Sequence, residues 1–160
     1  MIKTHPEFQA AKNLGGYLVT ITSTAEWNWV RTNLINSGTG YNMNHNIWIG
    51  NNKVRNAAFP NNTVSPGIPI EFYWVTGENS KFNWTNTATV QHNFQTNSNI
   101  PDEPNNHNNN EGCSHIWSAN SAFGSNRTWN DAPCHITSFF PGDLSNQNSA
   151  MNEFIFEFHQ

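Results

Sequence analysis

The chain has 160 residues, a length that fits one domain able to bury roughly two thirds of the surface of its unfolded state. Charged residues make up 11% of the sequence and the net charge is −4, so there is no basic footprint for binding nucleic acid. No apolar run is long enough to span a membrane and the first residues do not form a secretory signal, so we expect no membrane insertion.

Two helices are predicted in the first quarter of the chain. A capping-box pattern formed by Thr4 and Glu7 starts the first helix, and the glycine pair 15–16 stops it. Ser23 repeats the start signal, and apolar residues at helical spacing carry the second helix to about Ile35.

Short strands are predicted over the rest of the chain, in segments rich in aromatic and branched residues and separated by Gly, Pro and Asn. These segments are 47–52, 70–76, 113–118, 127–130 and 153–158. Two helices followed by several short strands predict an α+β fold without an internal repeat.

A group of oxygen-bearing side chains lies in the second half of the sequence. Its members are three carboxylates and two amides: Glu103, Asn105, Glu111, Asn130 and Asp131. Such oxygens suit calcium, which takes roughly 6 to 8 oxygen ligands at about 2.3–2.6 Å, whereas zinc prefers His or thiolate. The carboxylates repel one another without a cation, so we expect the group to be partly protonated or disordered until calcium orders it. A cis peptide at Pro104 would turn both neighbours toward one point, but the sequence leaves the isomer open.

The two cysteines, Cys113 and Cys134, enclose part of this group. Two cysteines without a CxxC spacing favour a single disulfide, with two buried reduced thiols as the alternative. Closing a loop of about 20 residues would remove roughly 3 kcal/mol of unfolded-chain entropy. A disulfide and millimolar calcium both belong outside the cell, so we expect an extracellular or cell-surface protein.

In their order along the chain, several motifs resemble the C-type lectin-like domain, and the resemblance covers most of the chain. Besides the Glu-Pro-Asn and Trp-Asn-Asp motifs, the stretches that carry it are 14–21 (LGGYLVTI), 48–50 (WIG), 74–78 (WVTGE), 82–84 (FNW) and 154–158 (FIFEF). The resemblance implies two helices, two small antiparallel sheets and a long calcium-binding loop region. It also implies a single domain over residues 1–160, excised from a larger secreted or surface protein.

The resemblance implies a lectin, that is, a calcium-dependent carbohydrate-binding domain. In sugar-binding members of the family, one calcium ion is held by the residues that correspond here to Glu103, Asn105, Glu111, Asn130 and Asp131. Sugar contacts are expected from Glu103, Asn105, His107, Glu111 and Asn130. The Glu-Pro-Asn form of the motif is associated with mannose, glucose, N-acetylglucosamine (GlcNAc) and fucose, and the Gln-Pro-Asp form with galactose. Glycans on cell surfaces or glycoproteins are therefore the expected partners, in a role such as that of a bacterial adhesin.

The sequence also departs from the family pattern. Acidic residues that hold a second calcium in some relatives are replaced by Asn106 and Gly112, so one ion is expected. The outer disulfide is missing because Ala11 and Phe156 stand where its cysteines would be, so packing must close the ends of the domain. Three segments resemble insertions: 53–70, 85–100 and 135–150.

Two other classes of function remain open. The first is a calcium-dependent domain that binds peptide or ice, although the Glu-Pro-Asn order favours sugar. The second is an enzyme on the related sulfatase-modifying fold, which would require a reactive cysteine pair. The sequence contains no HExxH motif, nucleophile elbow or phosphate loop, so we expect no catalytic residues.

Overall fold

The computed structural model describes the helical first third of the chain and the strands that follow it. The described residues are 6–53, 72–76, 92–95, 103–105, 111–119, 127–134, 151 and 153–158. In chain order the elements are α1 (Pro6–Asn13), β1 (Tyr17–Leu18), α2 (Thr24–Val30), a π-helical turn (Arg31–Ile35), β2 (Ile47–Lys53), β3 (Phe72–Trp74), β4 (Cys113–Ile116), β5 (Trp129–Ala132), β6 (Glu153–Phe154) and β7 (Phe156–Glu157). The predicted α+β class is confirmed.

The first helix begins and ends for local reasons. Pro6 starts α1 at a position where its missing N–H has no helical partner to lose. Gly15 closes the helix with a φ of 84°, a left-handed conformation that favours glycine. The Gly16 N–H then donates to the Ala11 carbonyl at 2.9 Å, which satisfies one of the last helical carbonyls. Thr4 of the predicted capping box lies outside the described residues.

The second helix starts as predicted but ends in a wider turn. Ser23 Oγ accepts the Glu26 N–H at 3.1 Å, and Glu26 Oε2 accepts the Thr22 N–H at 2.7 Å. These bonds satisfy N–H groups that have no helical acceptor. The helix continues through the π-helical turn, where the Asn36 N–H donates to the Arg31 carbonyl at 2.9 Å. The predicted end near Ile35 is therefore confirmed.

The strands form a small sheet and a larger mixed sheet. β1 pairs antiparallel with β7 in the two-stranded sheet. The larger sheet has the order β3-β2-β4-β5, with antiparallel pairs, and β6 adds a parallel pairing to β2. The antiparallel β4–β5 pair is the part of this sheet that carries the predicted ligands Asn130 and Asp131.

Several predicted strand boundaries differ from the structure: the segment predicted at 70–76 ends at Trp74, the one predicted at 113–118 ends at Ile116, and the one predicted at 47–52 runs to Lys53. The segment predicted at 127–130 begins only at Trp129, because Arg127 has a φ of 52°, which interrupts extended backbone. The strand then continues to Ala132. The segment predicted at 153–158 is two strands separated by Ile155, because its first half pairs with β2 and its second half with β1.

Buried apolar side chains form two clusters on opposite faces of β2. Trp48 belongs to one cluster, and Ile47 and Ile49 belong to the other, as the two-residue repeat of a strand dictates. Gly50 follows them, and a Cβ there would lie 2.5 Å from the Leu18 carbonyl oxygen. The glycine of the WIG motif therefore allows the segment after α1 to pack directly against β2.

Apolar packing occupies the positions where the resemblance leads one to expect an outer disulfide. Ala11 is fully buried in the cluster that contains Trp48, and Phe156 packs against the same cluster. The Phe156 ring stacks on that of Phe154, with centroids 4.6 Å apart. This packing joins the first helix to the last strands.

Candidate functional site

The predicted disulfide is present and closes the β4–β5 pair. Cys113 begins β4 and Cys134 lies two residues after β5, with an S–S distance of 2.05 Å. The alternative of two reduced thiols is therefore wrong for this structure. The bridge fixes the end of β5 beside the start of β4, and the Gly112 N–H donates to the Ala132 carbonyl at 3.1 Å. Glu111 is thereby held next to the strand that carries Asn130 and Asp131.

The other edge of β5 holds the Glu-Pro-Asn segment. Along this edge the Gln95 N–H donates to the Trp129 carbonyl at 3.0 Å, and the Glu103 N–H donates to the Gln95 carbonyl at 2.9 Å. The Asn105 N–H donates to Asp131 Oδ1 at 3.0 Å, which joins the two motifs directly. The Glu103–Pro104 peptide bond, whose isomer the sequence left open, is cis.

The buried side chain of Trp129 anchors β5, the strand that carries Asn130 and Asp131. Trp129 is fully buried, and three aromatic rings meet its indole edge-on, at centroid distances of 5.6 Å for Trp27, 5.9 Å for Trp74 and 5.7 Å for Phe94. Edge-to-face contacts of this kind add about 0.5–1.5 kcal/mol each beyond the burial of area. Trp129 therefore anchors the strand through its packing in the core.

The carboxylates of the group lie close enough to disturb one another. Glu103, Glu111 and Asp131 expose at most 8% of their surface. Burial, the negative charge of Asp131, a side-chain hydrogen bond to Asp131 and the negative charge of Glu111 together raise the pKa of Glu103 to about 9. With its pKa raised this far, Glu103 holds a proton at neutral pH in the metal-free protein.

Two buried oxygens of the Glu-Pro-Asn segment have no hydrogen-bond partner among the described residues. They are Glu103 Oε2 and Asn105 Oδ1. A buried oxygen without a partner is costly, by about 1–3 kcal/mol. Both atoms are hard ligands of the kind that calcium uses, and both belong to the predicted metal-binding set. The donor chemistry of the site therefore fits calcium.

The carboxylates do not yet form a closed metal-binding group. Within the described part of the chain, no three His, Cys, Asp or Glu side chains lie together in a way that could hold a metal ion. A side-chain hydrogen bond joins Glu103 to Asp131, and the charge of Glu111 acts on the same group.

Asn130 lies beside Asp131 but is held by a residue that the sequence analysis did not select. Its Nδ2 lies 3.1 Å from His115 Nε2 and donates to the Asp131 carbonyl oxygen at 2.6 Å. His115 is directly opposite Asn130 in the β4–β5 register. The structure therefore brings together Glu103, Asn105 and Asp131, with Glu111 nearby, and directs the Asn130 amide nitrogen toward His115.

His115 is a neutral ring in the interior. It is fully buried, and its ring meets those of Trp48 and Trp117 edge-on at centroid distances of 5.9 and 4.9 Å. Burial lowers the pKa of His115 to about 3, and the positive charge of Arg127 acts in the same direction. The sequence alone carried no signal for His115, because its place opposite Asn130 follows from the register of the assembled β4–β5 pair.

His107, the predicted sugar contact, lies outside the described residues, as does Asn106 of the second-calcium comparison. Of the three predicted insertions, 135–150 also lies outside them, whereas residue 53 of the first and residues 92–95 of the second are described. In the described part of the chain, neither helix has the length and apolar character needed to cross a membrane.

Comparison with known proteins gives a distant structural likeness. No family model matches the chain, and no curated protein matches it. Among solved structures, the chain is similar to the C-type carbohydrate-recognition domain of cow CD23, solved in the presence of a GlcNAc2Man3 oligosaccharide. The two share 23% sequence identity with a TM-score of 0.48, over 80% of this chain and 67% of that chain.

Proposed function

We propose that this chain is a calcium-dependent sugar-binding domain that recognises vicinal hydroxyls of the mannose, fucose and GlcNAc type. The observation that carries the proposal is the pair of buried oxygens, Glu103 Oε2 and Asn105 Oδ1, which lie beside Asp131 and have no hydrogen-bond partner in the described part of the chain. Such oxygens gain most from a hard cation. The ligand set we propose is Glu103, Asn105, Glu111, Asn130 and Asp131, with one calcium ion.

Sugar selectivity would follow from the different hydrogen-bonding capacities of two ligands. The Glu103 carboxylate accepts hydrogen bonds only, whereas the Asn105 amide donates through its NH2 group. Of two adjacent sugar hydroxyls that complete the calcium shell, one must therefore donate a hydrogen bond to Glu103 and the other must accept one from Asn105. This order fixes the direction in which the hydroxyl pair binds.

Both cysteines of the chain are in the disulfide, so thiol chemistry of the kind that the sulfatase-modifying fold requires lacks its thiols. We therefore favour binding over catalysis. A single shallow sugar site binds weakly, so adhesion to glycans on cells or glycoproteins would depend on multivalent display. Such a role belongs in the extracellular space, where calcium is plentiful and disulfides persist.

The first test is a glycan array probed in calcium and again with chelator. We expect binding to mannose-type and fucose-type glycans that is lost on chelation and competed by free mannose. The double substitution Glu103→Gln with Asn105→Asp should shift the preference toward galactose. As a matched control, Glu153→Gln changes a half-buried carboxyl group on β6 and should leave the profile unchanged. Glycan binding that is insensitive to chelator would refute the proposal.

A further inference from the structure

The amide group of Asn130 is held in one orientation. Its nitrogen, Nδ2, has two N–H groups, and both are engaged, one with His115 Nε2 and the other with the Asp131 carbonyl oxygen. The oxygen is therefore the only atom of this amide that remains able to bind a cation or a sugar hydroxyl.

The second ring nitrogen of His115, Nδ1, determines which atom donates in the hydrogen bond between His115 Nε2 and Asn130 Nδ2. His115 Nδ1 lies 3.2 Å from the Ile116 carbonyl oxygen, and a carbonyl oxygen can only accept. Nδ1 must therefore carry the ring proton, which leaves Nε2 of the neutral ring as an acceptor. An acceptor at Nε2 requires the nitrogen of the Asn130 amide to face it. The opposite amide orientation would place two acceptors against each other.

The surroundings of His115 leave its ring little freedom to change this bond. His115 is enclosed by Trp48 and Trp117, and its strand is paired with β5 so that Asn130 lies directly opposite. A ring locked by packing holds its hydrogen-bond partner more strictly than a solvent-exposed one, because neither group can turn away without leaving a buried polar atom unpaired.

We propose that His115 is a positioning residue of the calcium site, which turns the Asn130 amide so that Oδ1 is the atom offered to the cation. Because the same bond occupies Nδ2, the sugar contact that the sequence led us to expect from Asn130 cannot be a hydrogen bond donated by this amide, and Asn105 is left as the amide that donates to a sugar hydroxyl. This role rests on the proposed function, since it assumes that Asn130 is a calcium ligand.

The hydrogen bond can be tested without any metal. Long-range ¹H–¹⁵N NMR spectra of the metal-free protein should show His115 in the neutral form protonated at Nδ1. The side-chain NH2 of Asn130 should exchange slowly with water, and exchange should accelerate in His115→Phe. A ring protonated at Nε2 instead of Nδ1 would overturn the proposal, whatever the calcium affinity.

The positioning role is tested by calcium titration, with CaCl2 as the only ligand. His115→Phe keeps an aromatic ring between the two tryptophans but removes the acceptor, so calcium Kd should rise about 10–100-fold, as for other residues that orient a metal ligand. His115→Gln places an acceptor near the position of Nε2 and should restore much of that affinity. His45→Phe, a change at a half-buried histidine outside the site, should leave Kd unchanged.

The outcomes separate the two proposals. If wild-type protein binds calcium and folded His115→Phe binds it equally well, the role of His115 is refuted while the proposed function stands. If wild-type protein binds no calcium, the proposed function fails and the role of His115 fails with it. If His115→Phe does not fold, the comparison of His115→Gln with wild type and the NMR spectra of wild type decide the matter.

Discussion

Calcium binding is expected to release close to one proton per ion at neutral pH, because Glu103 is protonated in the metal-free protein. Burial, Asp131 and Glu111 raise the pKa of Glu103 from 4.5 to about 9, whereas a calcium-bound carboxylate has lost its proton. Below about pH 4.5, Glu103 is protonated in both the folded and the unfolded chain, so its titration does not lower the free energy of unfolding. As pH rises from there through about 9, stability is lost, because the unfolded chain ionises more readily than the fold.

Calcium affinity should therefore increase with pH in that window. One proton exchanged for each ion predicts that calcium Kd falls about tenfold per pH unit between roughly pH 5 and pH 8. The rise in Tm on adding calcium should grow in the same direction. Titration calorimetry in buffers that differ in ionisation enthalpy counts the released protons directly.

Two variants show whether the proton comes from Glu103. Glu103→Gln removes the titrating group, so the remaining weak calcium binding should release almost no proton. Glu153→Gln alters another carboxyl group whose pKa burial raises, but outside the site, and should leave the release unchanged. A calcium Kd that stays constant between about pH 6 and pH 8 would refute the reasoning, because it would mean that Glu103 is already ionised before the metal binds.

Three further predictions concern stability. Replacing Cys113 and Cys134 together by Ser should lower the free energy of unfolding by roughly 3 kcal/mol in urea titrations, and an unchanged midpoint would contradict the loop-entropy estimate. Burial lowers the pKa of His115 from 6.5 to about 3, so wild-type Tm should fall as pH drops through that window. The Tm of His115→Phe should fall less than that of wild type over the same pH range. Equal falls in Tm for the two proteins would contradict this prediction. Arg127 Nη2 donates to the carbonyls of Met43 at 3.0 Å and His45 at 3.4 Å. Arg127→Ala should therefore lower the unfolding free energy by about 2–4 kcal/mol and Arg127→Lys by less, and equal urea midpoints for wild type and Arg127→Ala would count against this anchor.

Local signals predicted the helices well because the residues that cap a helix lie within a few positions of one another. Ser23 bonds to Glu26, and Gly15 adopts the left-handed conformation that ends α1. The split at Ile155 was not predictable in the same way. Whether residues on either side of it pair with β2 or with β1 depends on segments more than 100 positions away, and hydrophobic pattern alone does not specify the partner.

Sequence chemistry selected the members of the candidate site but not their geometry. Oxygen chemistry selected Glu103, Asn105 and Asp131, and the structure joins them at one edge of β5. The role of His115 was missed because it depends on strand register and on which ring nitrogen carries a proton. Both are properties of the assembled pair of strands, so a histidine in a sequence cannot display them.

Trp129 gives this domain a built-in optical reporter. Its indole is fully buried among aromatic rings, and the next residue along the strand is a proposed ligand, Asn130. Any rearrangement of β5 when an ion binds would alter the surroundings of an emitting group in the interior. Tryptophan emission should therefore follow occupancy without an attached dye, and the signal from Trp129→Phe would identify how much of it arises at this position.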